Sequence, residues 1–199
     1  MLCLGDSYTI GQSVAVDERF PEQTLALLKQ ENVLFEAPEI IARTGWTSLN
    51  LINAIERSEL KKEYDYVTLL IGVNDQFQGI DTTMYKSNFE KLLKTAIALA
   101  NNKADHIFVL SIPDYGVTPF AKYGTQPTAE ISNEIDIFNS INKIISEKYN
   151  VHYINITSIS RDAEDDASLL AGDGLHPSGK MYKLWAELLS AEMFNIHQH

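Results

Sequence analysis

Four short segments carry residues that could do chemistry together. Ser7 lies in Leu4-Gly5-Asp6-Ser7-Tyr8, and Asn74 lies in Gly72-Val73-Asn74-Asp75. Gly45 follows Thr44, and Asp173 and His176 share Asp173-Gly174-Leu175-His176-Pro177. Acyl transfer needs a nucleophile, a base to take its proton, and donors for the developing oxyanion. Ser7 offers the hydroxyl, and His176 is the side-chain type suited to proton transfer near neutral pH. Asp173, three residues earlier, can reach the imidazole Nδ1–H if the Gly174 turn is tight, which fixes the tautomer. The backbone N–H groups of Ser7 and Gly45 and the Asn74 side-chain amide are the candidate oxyanion donors. An amide stabilises an anion without itself titrating.

Each segment alone has a plainer reading. Gly-Asp-Ser is ordinary turn chemistry, and Gly-Val-Asn-Asp could simply end a strand. Asp6 is expected to hold its turn through backbone hydrogen bonds, and Asp75 to brace its own. Asp173 and His176 supply two ligand types without a third at matching spacing, so no metal is expected. His106, His152, His197 and His199 show no clustering, and the last two are expected in a frayed tail. Trp46, Tyr115 and Phe120 are candidate substrate-binding residues; core packing is the alternative for each.

The elements around these segments explain how they could meet. Met1–Leu4 reads as a short buried strand, residues 39–43 as a second, and the β-rich run 66–71 as a third. Residues 107–110 and 151–156 follow as the fourth and fifth. Between them lie amphipathic stretches: one with Pro21 in its first turn, one capped by Thr47 or Ser48, and one begun by Asp81 or Thr82. Others start at Thr128 and after Ser178. Residues 113–127 read as a loop. Strand and helix alternate five times, which predicts a three-layer α/β/α sandwich around a five-stranded parallel sheet, in one domain spanning 1–199. Ligands of such sheets bind beyond the carboxyl ends of the strands. Ser7, Gly45 and Asn74 follow strands one, two and three.

The four blocks, in this order across nearly the whole chain, resemble those of the GDSL esterases, also called SGNH hydrolases. Gly5-Asp6-Ser7 matches the first block and Gly45 the glycine of the second. Gly72-Val73-Asn74-Asp75 matches the third, and Asp173-x-x-His176-Pro177 the fifth. The resemblance implies a flavodoxin-like hydrolase that cleaves esters without a metal or other cofactor, with Ser7, His176 and Asp173 as the catalytic residues. Acetylated sugars, lysophospholipids and simple acyl esters would all suit such machinery.

The resemblance implies a small-molecule ester as partner, and composition argues against larger ones. With 16 basic against 27 acidic residues, the net charge of −11 repels phosphate backbones, so no nucleic acid is expected. No apolar run approaches the ~20 residues that span a bilayer, so no stable membrane insertion is expected. Cys3 is the single cysteine, which excludes an internal disulfide. The chain reads as cytoplasmic as it stands, or extracytoplasmic if a leader was removed; no pattern encodes oligomeric state. Two rival classes remain. A non-catalytic carbohydrate-binding module on the same fold would lack one of the catalytic groups, and all are present. A nucleotide or flavin binder would carry a glycine-rich phosphate loop after strand one, whose spacing Gly5 to Gly11 does not match.

Overall fold

The computed structural model describes residues 1–198 apart from Lys62; the expectation for His199 lies outside the described residues. The first strand, β1 (Leu2–Gly5), is buried along its whole length and is followed directly by the single-turn helix α1 (Ser7–Ile10) and by α2 (Phe20–Gln30). Then come β2 (Glu39–Ala42), α3 (Ser48–Arg57), β3 (Val67–Leu70), α4 (Val73–Phe77) and α5 (Thr82–Leu99). The chain continues through β4 (Ile107–Leu110), α6 (Pro119–Lys122), α7 (Thr128–Lys148), β5 (His152–Ile154), α8 (Thr157–Arg161) and α9 (Gly179–His197).

The five strands are parallel, in the order β2-β1-β3-β4-β5. This is the flavodoxin-like order of a doubly wound sheet. β1 is central, with Gly5 level with Ala42 on one side and Leu70 on the other. That explains why four residues suffice: Leu2, Cys3 and Leu4 are wholly buried between two strands and two layers of helix. One layer is built on α2 against α9, the other on α3, α5 and α7. Trp185, Tyr182 and Phe20 fill the first layer's contact with the sheet; Tyr85, Phe89 and Leu93 fill the second.

Caps follow the local chemistry. Thr47 caps α3, Asp81 caps α5 through the Thr83 N–H, and Ser178 caps α9 through the Met181 N–H. Two expectations need correction. Residues 113–127 are not all loop, because Asp114 caps a 3₁₀ turn at Tyr115–Val117 and Thr118 caps α6. His197 is the last residue of α9 rather than part of a frayed tail. No helix among the described residues is long and apolar enough to cross a membrane.

Candidate active site

The carboxyl ends of β1 and β3 face the point where strand order reverses, the usual ligand crevice of such sheets. A cavity of about 210 Å³ opens there. Ser7, Gly45, Asn74 and His176 all line it, so segments distant in sequence converge on one opening. Tyr8, Tyr115, Phe120, Phe77 and Leu175 supply much of its remaining wall.

Ser7 is held at the start of α1 by its neighbour. Asp6 is the N-cap, and its Oδ1 accepts from the Tyr8 N–H at 3.0 Å, as the sequence suggested. Asp6 is fully buried, which pushes its carboxyl up to about 8, against the opposing pull of the Tyr8 N–H. The carboxylate of Asp75 adds to the rise. Ser7 itself is 6% exposed and His176 5%, so both meet solvent only through the cavity.

The histidine loop is a compact turn. Asp173 Oδ1 accepts from the backbone N–H groups of Leu175 at 3.0 Å and His176 at 2.9 Å, while Gly174 at φ +67° turns the chain. The same carboxylate presents Oδ2 to His176 Nδ1 at 2.7 Å. A proton on Nδ1 satisfies that contact and leaves Nε2 with its lone pair free, the tautomer a general base requires. Burial works against the Asp173 carboxylate, but its donors outweigh burial and hold the carboxyl well below the usual range. These are the Ser13 hydroxyl, the His176 backbone and ring, and the Leu175 N–H. The Tyr8 ring packs against the imidazole at 5.6 Å between centroids, and the Tyr182 hydroxyl of α9 donates to the Tyr8 carbonyl at 2.9 Å.

The side of the cavity that carries Gly45 and Asn74 is built by two helix starts clamped together. Gly45 sits at φ +79°, a backbone conformation that glycine adopts without strain, and a Cβ there would meet nothing within 4 Å. The demand on this residue is therefore conformational rather than steric. Gly72, before Asn74, is at φ +129°, and a Cβ on it would fall 2.3 Å from the Tyr85 hydroxyl. Asn74 Nδ2 donates to the Trp46 carbonyl at 3.0 Å, which fixes the amide plane. Asp75 does not brace its own turn as expected. Its carboxylate crosses to α3 and accepts from the Ser48 N–H at 2.8 Å and the Ser48 hydroxyl at 2.5 Å.

The aromatic wall stands on a polar platform. Asp114 Oδ1 accepts from the Gly116 N–H at 2.8 Å, and its Oδ2 accepts from Arg161 Nε at 2.9 Å. This fixes the turn that carries Tyr115. Phe120 N–H donates to the Gly174 carbonyl at 3.2 Å, joining α6 to the histidine loop. Tyr115 and Phe120 thus line the cavity. Trp46 does not: its side chain packs half-buried against the core, and its part in the site is the carbonyl that orients Asn74. Sequence reasoning missed Tyr8, Phe77 and Ser13. Phe77 lies three residues beyond Asn74, one helical turn along, and that spacing was the available signal.

A parallel five-stranded sheet of this order, with a serine turn and a histidine loop sharing one cavity at its carboxyl edge, defines a hydrolase of flavodoxin-like α/β/α fold. The chain is a member of the GDSL-like lipase/acylhydrolase family, whose description matches residues 3–184, and it is a carboxylic ester hydrolase. Solved structures share the fold at low identity. An acetylxylan esterase from Geobacillus stearothermophilus aligns with a TM-score of 0.70 at 18% identity, over 96% of this chain and 92% of that one. A psychrotrophic esterase from Pseudoalteromonas sp. aligns with a TM-score of 0.67 at 21% identity, over 100% and 98%. A member of the lipolytic G-D-S-L family from Veillonella parvula aligns with a TM-score of 0.67 at 19% identity, over 100% and 97%. None of the curated proteins compared with the chain matches it.

Proposed function

We propose that residues 1–199 act as one hydrolase domain that cleaves small carboxylic esters through an acyl-enzyme on Ser7. His176 takes the Ser7 proton at Nε2 and returns it to the leaving alcohol. Water then attacks the acyl group with the same base. Asp173 holds the imidazole and offsets its charge when protonated. The Ser7 and Gly45 backbone N–H groups and Asn74 Nδ2 receive the oxyanion. The observation that carries this reading is the 2.7 Å contact between Asp173 and Nδ1 of His176, a histidine that lines one cavity with Ser7.

The cavity also bears on substrate. At about 210 Å³ it lies below the ~300–1,000 Å³ usual for drug-sized ligands. Its aromatic wall joins Phe77 to Tyr115 at 6.1 Å and Tyr115 to Phe120 at 6.4 Å between centroids. A short acyl group against an apolar wall suits this space better than a long chain. The test is a panel of p-nitrophenyl esters from acetyl to palmitoyl, run on the wild type and on Ser7→Ala. Expected is a short-acyl optimum that Ser7→Ala abolishes while its denaturation midpoint stays close to wild type. Retention of most activity by Ser7→Ala would overturn the nucleophile assignment. An optimum at long chains would overturn the substrate class.

A further inference from the structure

Ser13 occupies an unusual position. It follows α1 in the loop after Gly11, at φ +71°, a region that residues other than glycine seldom adopt. In that conformation its hydroxyl points across the fold and donates to Asp173 Oδ2 at 2.5 Å, 160 residues away. Oδ2 is also the oxygen that faces His176 Nδ1. Ser13 is not part of the cavity wall. A hydroxyl that does not meet the substrate, held in an uncommon backbone conformation, therefore shares an acceptor atom with the imidazole.

The geometry points to Ser13 as a positioning residue for the base: its hydroxyl stops the Asp173 carboxylate from rotating and takes a share of the charge that would otherwise favour protonated His176. This rests on His176 acting as the base. A carboxylate oxygen shared between two donors gives each less than it would give one alone. Removing Ser13 Oγ leaves Oδ2 to the imidazole, so the imidazolium gains stability and the neutral base forms only at higher pH. Ser13 is also the strongest of the donors that offset the burial of Asp173.

The other ionisable groups near the pair are engaged elsewhere. On the α1 side, Asp6 caps the helix and Tyr8 lies against the imidazole through its ring. From α9, Tyr182 donates to the Tyr8 carbonyl. Across the cavity, Asp114 is paired with Arg161, and Tyr115 stands in the aromatic wall. Arg19, before α2, contacts Ile10 O and Glu22, and Glu18 accepts from the Ala15 N–H.

The experiment measures kcat and KM against pH on p-nitrophenyl acetate, an uncharged ester, for the wild type, Ser13→Ala, Ser13→Gly, Ser13→Asn and Asp173→Asn. Glycine relieves the positive φ while removing the hydroxyl, and asparagine tolerates it while restoring a donor. Expected is an upward move of the acid limb by about half a pH unit in Ser13→Ala and Ser13→Gly, or about threefold in rate on that limb. KM stays unchanged, and Ser13→Asn returns the limb toward wild type. NMR titration of the His176 ring protons gives the same displacement without turnover. An acid limb that coincides with wild type in both Ser13→Ala and Ser13→Gly overturns the role of Ser13. So does a shift that Ser13→Asn fails to reverse. Asp173→Asn separates the two failures: its loss of activity with an unmoved Ser13→Ala limb defeats only this inference, and its full activity defeats the triad reading beneath it.

Discussion

Replacing Asp75 with alanine tests how the oxyanion side is assembled. The carboxylate accepts two hydrogen bonds from Ser48, at 2.8 Å from N and 2.5 Å from Oγ, and both residues are buried. Burial pushes the Asp75 carboxyl up and outweighs the pull of the two Ser48 donors, so ionisation is disfavoured there. The cost of truncation lies in what it leaves behind. The Ser48 N–H opens α3 with no turn before it to answer, and the hydroxyl keeps only the Asn88 amide, itself a donor, at 3.1 Å. Each orphaned buried donor costs about 1–3 kcal/mol, so with two of them Asp75→Ala should lose about 2–6 kcal/mol. For a chain of this size that lowers Tm by about 10 °C. Asp75→Asn keeps one acceptor oxygen and should lose about half as much. Because α3 follows Gly45 and α4 carries Asn74, kcat should fall along with stability. Urea unfolding with parallel kinetics is the assay. An Asp75→Ala protein within 1 kcal/mol of wild type would show that Ser48 finds other partners, and the clamp would be refuted.

Two more expectations follow from the same geometry. Asn74→Ala removes one oxyanion donor and should cut kcat about 10²–10³-fold with KM little changed, a loss of about 2.7–4 kcal/mol; a change under threefold would remove Asn74 from that role. Asp6 binds its proton more tightly folded, at about 8, than its ordinary value of 3.8 unfolded. The stability it contributes is therefore complete below about pH 4 and is lost as pH rises through about 8. Asp6→Asn, which keeps the acceptor for the Tyr8 N–H, should flatten the fall in urea midpoint between about pH 4 and pH 8, and parallel wild-type and variant curves would contradict the burial argument.

Much of this site was legible because the chemistry is local. The Asp173-x-x-His176 spacing closes on itself through one tight turn, so the pair could be read without knowing the fold. Ser7, Gly45 and Asn74 were legible through strand periodicity, since each follows a recognisable apolar run and a parallel sheet brings such ends together. What escaped depends on side-chain direction across distant segments. Trp46 neighbours the glycine at the cavity, yet its ring turns toward the core and only its carbonyl serves the site. Asp75 looked like a brace for its own turn because its partner Ser48 stands 27 residues away. The helical content of residues 113–127 depends on caps from Asp114 and Thr118, and a run with three prolines and two glycines masks such caps. Ser13 gave no sequence signal, because its left-handed backbone is imposed by the loop around it.

The bonds that join the two halves of the site have a consequence for synthesis. Ser13 reaches Asp173 over 160 residues, and Tyr182 reaches Tyr8 over 174. The segment carrying Ser7 is thus made well before the one carrying His176. β1 cannot even take its central place until β3 has been made, because it lies between β2 and β3. Contacts of such long reach slow folding. With Ser7 as the proposed nucleophile and His176 as its proposed base, the site is complete only once α9 has closed over α1.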